Sequence, residues 1–354
     1  MAVSALKYIG ATSIPVSKSE IRLFCMARNE ALRLPYFLEY YRNLGVARFF
    51  VIDDNSTDAT ATILAAQKDC HVFQPQSGSY AATRSGLVWL NELLNLYGEG
   101  SWILFADIDE LFVYPGCEQA KLPKFCAYLD AQGYDGVYAL LLDLYADVPM
   151  AQLHYQAGQD FLSTCRFFDR DYKFVPRFGL PFAPAFPLIE PLGGPRSRLF
   201  FPEQHHAPLA KRLAIKIMFR LLRWAHRHNL FRSIKIPTPS PQMFKIPLVR
   251  WRKGYGYVTS HRLNEIRLAP VTGAHLHCKF FQDFAARTAS AVADKTHFGG
   301  SIEYQRYAEL SARQPNLVFM YPGSTRYNNS QNLVDAKLIL DDPRWQKTRN
   351  IPPA

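Results

Sequence analysis

Over the first third of this chain, short apolar runs alternate with longer stretches of helical periodicity, and that alternation restricts the fold more than any other feature. Residues 21–26, IRLFCM, read as a buried strand. In ARNEALRLPYFLEYYRNLG, Leu34, Phe37, Leu38, Tyr41 and Leu44 fall at helical spacing, and Gly45 supplies a stop. VARFFVIDD reads as a second strand and HVFQP as a third; NSTDATATILAAQ between them is a helix with Ser56, Thr57 or Asp58 as its cap. YAATRSGLVWLNELLNLYG is a third helix closed by Gly98, and SWILFADIDELFVYP brings a fourth strand. The succession predicts an α/β fold, a Rossmann-like and mostly parallel sheet with helices on both faces. Ligands of such sheets bind beyond the C-terminal strand ends.

The second strand ends in Asp53 and Asp54, and the fourth runs into Asp107, Asp109 and Glu110. Carboxylates in an apolar setting must be paired or bound to metal. Both acidic groups sit at strand ends, so they are expected to converge on one crevice. Two aspartates flanking a single isoleucine can offer hard oxygen ligands to Mg2+ or Mn2+ together with substrate phosphates. The competing reading is an acidic turn or a helix cap. The apolar strand ahead of the cluster and the second acidic strand end favour a site.

With 354 residues the chain is long enough for one large domain or two smaller ones. Its six cysteines are scattered without a CxxC pair, which suggests neither a zinc ribbon nor a compact disulfide framework and reads as reduced, mostly core thiols. The first twenty residues lack a long apolar run, so no signal peptide is expected, and no window is long and apolar enough to span a membrane. A formal net charge of +11 favours an anionic partner.

ARNEALRLPYFLEYYRNLGVARFFVIDDNSTDAT followed by WILFADIDELFVYP resembles the family 2-like glycosyltransferases with the GT-A fold. The likeness continues through GSYAATRSGLVWL, GGPRSRLF, KIPLVRW, YVTSHRL and GAHLHCKFFQDFA to HFGGSIEYQRY, covering most of residues 20–310. It implies a nucleotide-sugar donor, UDP-sugar favoured, and a divalent ion, Mn2+ or Mg2+. It further implies transfer, with inversion, to a hydroxyl of a glycan or lipid-linked acceptor in cell-surface polysaccharide synthesis. On this resemblance Asp53 is favoured over Asp54 to accept hydrogen bonds from the base, and Asp109 is the direct metal ligand. Asp107 is a ribose or water-mediated metal partner, and His277 of GAHLHCKF is a further ligand, preferred to His275 and His261. Arg28, just past the first strand, and Arg84, read as helical, can pair with the diphosphate. Pro195 in GGPRSR suits a helix start, from which Arg196 and Arg198 could hold phosphate. Glu203, Glu190 and Asp143 are the candidates for the general base.

In AKRLAIKIMFRLLRWAHRHNLFRSIKIP, Arg212, Lys216, Arg220, Arg223 and Arg227 form one stripe of an amphipathic helix, and Leu213, Ile217, Leu221 and Trp224 lie elsewhere around it. Such a helix reads as an interfacial anchor on an anionic membrane surface, placing the chain in the cytoplasm at the inner face; a packed helix with a solvated basic face is the alternative. The expected organisation is an N-terminal extension (1–20), a nucleotide-sugar-binding and catalytic GT-A core (21–210) and the basic helix with a Pro-rich linker (211–243). The C-terminal part of the catalytic domain (244–310) and a C-terminal extension (311–354) follow. Nucleic-acid binding is not expected, because the basic residues follow no reader motif. A nucleotidyltransferase acting on a sugar phosphate shares strand-end aspartates and Mg2+, but the chain has MARNEA where such an enzyme carries a glycine- and lysine-rich loop. A non-catalytic anion-binding module would not need the carboxylates.

Overall fold

Leu34, Phe37, Leu38, Tyr41 and Leu44 are all buried along one stripe of a helix that ends at Gly45, whose φ of 105° closes the last turn as only glycine does without strain. The structure, a computed structural model, describes residues 4–351 apart from residues 11, 12, 16, 18, 81, 178–185, 229, 231–233, 235–239 and 295–297.

Strands β1 (Leu6–Tyr8), β2 (Ile21–Ala27), β3 (Arg48–Asp53), β4 (Cys70–Pro75), β5 (Trp102–Phe105), β6 (Glu110–Val113) and β7 (Gly136–Tyr145) occupy the first half. Helices α1 (Leu34–Leu44), α2 (Thr60–Ala65), α3 (Leu87–Tyr97) and α4 (Leu122–Ala131) alternate with them. The second half adds β8 (Phe167–Asp169), the pair β9 (Lys173–Pro176) and β10 (Ile189–Leu192), and β11 (Phe244–Arg250). β12 (Tyr257–Thr259), β13 (Arg262–Leu263), β14 (Gly273–His277) and β15 (Ser324–Arg326) follow. Its helices are α5 (Phe161–Thr164), α6 (Pro202–His205), α7 (Leu209–Arg227), α8 (Phe284–Asp294), α9 (Phe298–Arg313), α10 (Ser330–Asp335) and α11 (Pro343–Arg349).

The main sheet runs β1-β4-β3-β2-β5-β11-β7-β14-β6. Its centre, β4-β3-β2-β5, is parallel, as the alternation of the sequence predicts. Beyond β5 the direction changes: β11 inserts antiparallel between β5 and β7, and β14 runs parallel to β7 but antiparallel to β6. Residue alternation sorts the side chains into two cores. Leu23, Phe49, Val51 and Leu104 pack with α1 and α4, whereas Phe24, Phe50, Ile52, Ile103 and Phe105 pack with α3 on the opposite face. The expected α/β architecture with helices on both faces is thus present.

Several local expectations are revised. Arg84 is not helical: Arg84, Ser85 and Gly86 have φ of 57°, 61° and 72°, and α3 begins only at Leu87. A left-handed turn of this kind leaves no periodicity for a sequence reading to detect. The N-cap of α2 is Ala59, one to three residues beyond the cap candidates, although Asp58 accepts from the Thr60 amide at 2.9 Å. Both terminal segments contribute packed elements. β1 pairs with β4, and Trp345 of α11 is fully buried against Phe125 and Tyr128 of α4, donating to the Pro115 carbonyl at 2.7 Å. All six cysteines are buried and unpaired.

α7 forms where the basic helix is expected. Its side chains Leu213, Ile217, Met218, Leu221 and Trp224 are exposed, and Ala225 is buried. Arg212 donates to the His205 and Ala207 carbonyls, while the side chains of Lys216, Arg220, Arg223 and Arg227 and residues 235–239, which include the start of the Pro-rich linker, lie outside the described residues. Among the described residues no helix is long and apolar enough to cross a membrane.

Candidate active site

β14 builds the site by its register. His277 is paired across the ladder with Glu110 of β6 on one side and with Asp143 of β7 on the other. Paired residues present their side chains to the same face of a sheet, so one imidazole meets carboxylates from two neighbouring strands. His275, two residues earlier, shares that face.

His277 Nδ1 lies 2.7 Å from Asp143 Oδ1, and its Nε2 lies 3.5 Å from Asp109 Oδ2. Asp143 is fully buried and also accepts from Arg196 Nε at 2.8 Å. Burial alone would lower the His277 pKa, but Asp109 and then Asp143 outweigh it, so the imidazole holds its proton above the usual value. Burial would likewise raise Asp109, yet His277, followed by Arg287 and Arg33, holds this carboxyl well below the usual range. Burial opposes ionisation of Asp143 too, and Arg196 and His277 overcome it.

A second cluster adjoins the first. Lys245 of β11 is buried and reaches Asp107 at 2.7 Å and Glu110 at 2.6 Å. Glu110 also accepts from the Asp107 amide at 3.1 Å. Burial pushes the Glu110 carboxyl up to about 7 against the pull of Lys245, while the two carboxylates keep Lys245 protonated despite its burial. His275 Nδ1 is 3.5 Å from Glu110, makes no hydrogen bond among the described residues, and is kept neutral chiefly by burial. His261 bonds the Phe244 carbonyl at 2.9 Å, and burial, with Lys245 adding, pushes it down to about 4.

Among the described residues, ligand atoms of Asp109, Glu110 and His277 lie within 4.8 Å of one another, a group able to hold a metal ion. The donor set fits a divalent ion. With Nδ1 engaged by Asp143, the Nε2 of a neutral His277 is left for metal beside the Asp109 carboxylate, the carboxylate–histidine arrangement that fixes metal-binding imidazoles. The structure therefore brings together Asp107, Asp109, His277, Asp143 and Arg196, and adds Glu110 and Lys245, which sequence reasoning did not assign.

The remaining candidates lie in other settings. Asp53 is fully buried; its Oδ1 accepts from the Ser56 amide at 3.1 Å, and its Oδ2 has no hydrogen-bond partner among the described residues. Arg28 is half-exposed, 3.7 Å from Asp54 and 3.8 Å from Asp294. Arg198 is paired with Asp169 at 3.0 Å, and Arg196 is buried against Asp143, so both arginines are engaged by carboxylates on a five-residue π-type turn, Arg196–Phe200. Glu203 pairs with Arg306 at 2.7 Å and Glu190 with Arg177 at 3.7 Å. Asp143 is fully buried between His277 Nδ1 at 2.7 Å and Arg196 Nε at 2.8 Å.

Ion pairs fasten α8 over the loop that follows β2. Arg287 reaches Glu30 at 2.6 Å, and Arg33 makes a two-pronged contact with Asp283 at 2.6 and 2.8 Å. These pairs bring α8 beside Asp109, where Lys279, Arg287, Thr288 and Tyr304 line a cavity of about 30 Å³. A larger groove, about 340 Å³, lies between α1 and α2 and is lined by none of the strand-end carboxylates.

No protein-family model matches the chain, and no curated protein does. Among solved structures, a crystal structure of 4-diphosphocytidyl-2C-methyl-D-erythritol synthase matches with 16% identity and a TM-score of 0.24, over 42% of this chain and 68% of that one. The α/β assignment rests on the strand order and pairings described above.

Proposed function

We propose that the chain is a metal-dependent glycosyltransferase that uses a nucleotide-sugar donor, a UDP-sugar in the first instance, and moves the sugar to a hydroxyl of a glycan or lipid-linked acceptor. The observation that carries the reading is the Asp109–His277–Asp143 relay, set where β7 and β14 meet the turn leading into β6. Asp109 and His277 would hold Mn2+ or Mg2+, and the ion, when bound, neutralises charge on a departing nucleoside diphosphate. Asp143 fixes the His277 tautomer, and Arg196 fixes Asp143. Lys245 holds the Asp107 and Glu110 carboxylates in place. The unpartnered oxygen of Asp53, at the end of β3, is suited to a base N–H or a ribose hydroxyl.

The location proposed is the inner face of a membrane, bound peripherally through α7. No aspartate or glutamate occurs between Glu203 and Glu265, so nothing within that stretch offsets the charge of the basic helix. The exposed Leu221 and Trp224 supply apolar contact for the same surface. The catalytic part of the reading is tested by Asp109→Ala. Turnover and metal-dependent donor binding should be lost while the fold is kept, and full activity in that variant or in excess EDTA contradicts it.

A further inference from the structure

Thr288 is 1% exposed, and its hydroxyl makes no hydrogen bond among the described residues. A buried hydroxyl without a partner is costly, and a threonine in a helix can usually bond a carbonyl of the preceding turn. This side chain instead lines the small cavity beside Asp109. Lys279 lines it too, donating to the Tyr304 hydroxyl at 3.1 Å; among the described residues no carboxylate pairs with this lysine. Arg287 borders the same space, with Glu30 at 2.6 Å holding its guanidinium in place.

From this geometry we infer that Lys279, Arg287, Thr288 and Tyr304 form a recognition pocket for a phosphate group that adjoins the ion held at Asp109. The inference rests on the glycosyltransferase reading for the ion and goes beyond it in assigning residues of α8 and α9. Size is compatible with this class of ligand: the cavity of about 30 Å³ has room for a water or a phosphoryl oxygen beside Asp109. Charge supports it as well. Arg33, Arg287 and Lys279 stand against Glu30, Asp283 and Asp109, an even balance. A divalent ion on Asp109 and a neutral His277 tips the balance to two positive charges, which a diphosphate would neutralise. Hydrogen bonds to such an anion are charge-assisted, so the Thr288 hydroxyl gains a partner that it lacks among the described residues, and Lys279 gains a charged partner beside the Tyr304 hydroxyl.

Thr288→Val separates this role from a structural one. It nearly preserves shape and removes a hydroxyl that bonds nothing among the described residues, so it should leave the denaturation midpoint unchanged or raised. The full chain is titrated calorimetrically with MgCl2, and then with inorganic pyrophosphate in the presence and absence of Mg2+. Wild type should bind pyrophosphate, and Thr288→Val and Lys279→Gln should each weaken it by about tenfold, with the Mg2+ titration unchanged. Pyrophosphate binding at wild-type strength in Thr288→Val overturns the pocket, as does a drop in stability with binding retained. Failure of Mg2+ to bind wild type, with pyrophosphate binding still lost in Thr288→Val, contradicts the metal reading and leaves the pocket standing.

Discussion

His277 Nδ1 and Asp143 Oδ1 are 2.7 Å apart at paired positions of the parallel β7–β14 ladder. The pair orients the imidazole so that its outer nitrogen faces Asp109. Asp143→Asn keeps shape but removes the charge that fixes the tautomer. Affinity for Mn2+, read by calorimetry, should fall by about 10–100-fold, with the fold retained. Unchanged affinity would mean that Asp143 serves only Arg196.

His277→Ala should raise the Mn2+ concentration needed for donor binding, and His275→Ala should not. His277 faces Asp109, whereas His275 is buried beside Glu110, which Lys245 already engages. The opposite result would move the metal site one pleat along β14.

Metal binding should strengthen with pH. Asp109 and Asp143 raise the His277 pKa above its usual value of 6.5, and the ion needs the neutral ring. Below that raised value each unit of pH should improve Mn2+ affinity by about tenfold, one proton being released per ion. The metal-free protein responds in the opposite sense. A raised histidine pKa contributes stability that is fully present below 6.5 and lost as pH climbs through the folded-state value. In His277→Asn both dependences should flatten, and a persistent slope would assign the proton to another group.

Lys245→Met leaves the Asp107 and Glu110 carboxylates facing each other without their buried cation. Removing one partner of a buried pair typically costs about 3–5 kcal/mol, so the urea midpoint should drop markedly at neutral pH. Adding Glu110→Gln should recover much of the loss. A Lys245→Met protein as stable as wild type would mean that water already screens the cluster.

How much of this was legible in the sequence follows from distance along the chain. The spacing of Leu34, Phe37, Leu38, Tyr41 and Leu44 marks the buried face of α1 because helical periodicity is local. The acidic group Asp107, Asp109 and Glu110 was legible because an apolar strand runs straight into it, whereas His277 was preferred to His275 only on the family resemblance, since alternation puts both on one face. Lys245 was not, since its partners Asp107 and Glu110 precede it by 138 and 135 positions and β11 enters the sheet antiparallel. The Arg287–Glu30 and Arg33–Asp283 contacts span 257 and 250 positions, and no local pattern announces them. Arg196 was read as a phosphate ligand from its Gly-Gly-Pro context, whereas the fold spends it on Asp143.

Membrane attachment through α7 predicts co-sedimentation with anionic but not neutral vesicles. Each Lys or Arg near such a surface contributes about 1 kcal/mol, and added salt should weaken the effect. Lys216→Glu with Arg220→Glu and Arg223→Glu should abolish binding, and Trp224→Ala with Leu221→Ala should reduce it. Equal sedimentation of the charge variant and wild type would leave α7 as a helix with a solvated face.

The most direct measurement is a thermal-shift panel of nucleotide sugars, UDP-sugars first, with and without Mn2+. A ligand at 100–1,000 times its Kd stabilises the native state by about 2.7–4.1 kcal/mol. The account predicts a clear rise in melting temperature that requires both nucleotide sugar and ion and disappears in Asp109→Ala. A rise that survives EDTA and Asp109→Ala, or none with any nucleotide sugar, would contradict it.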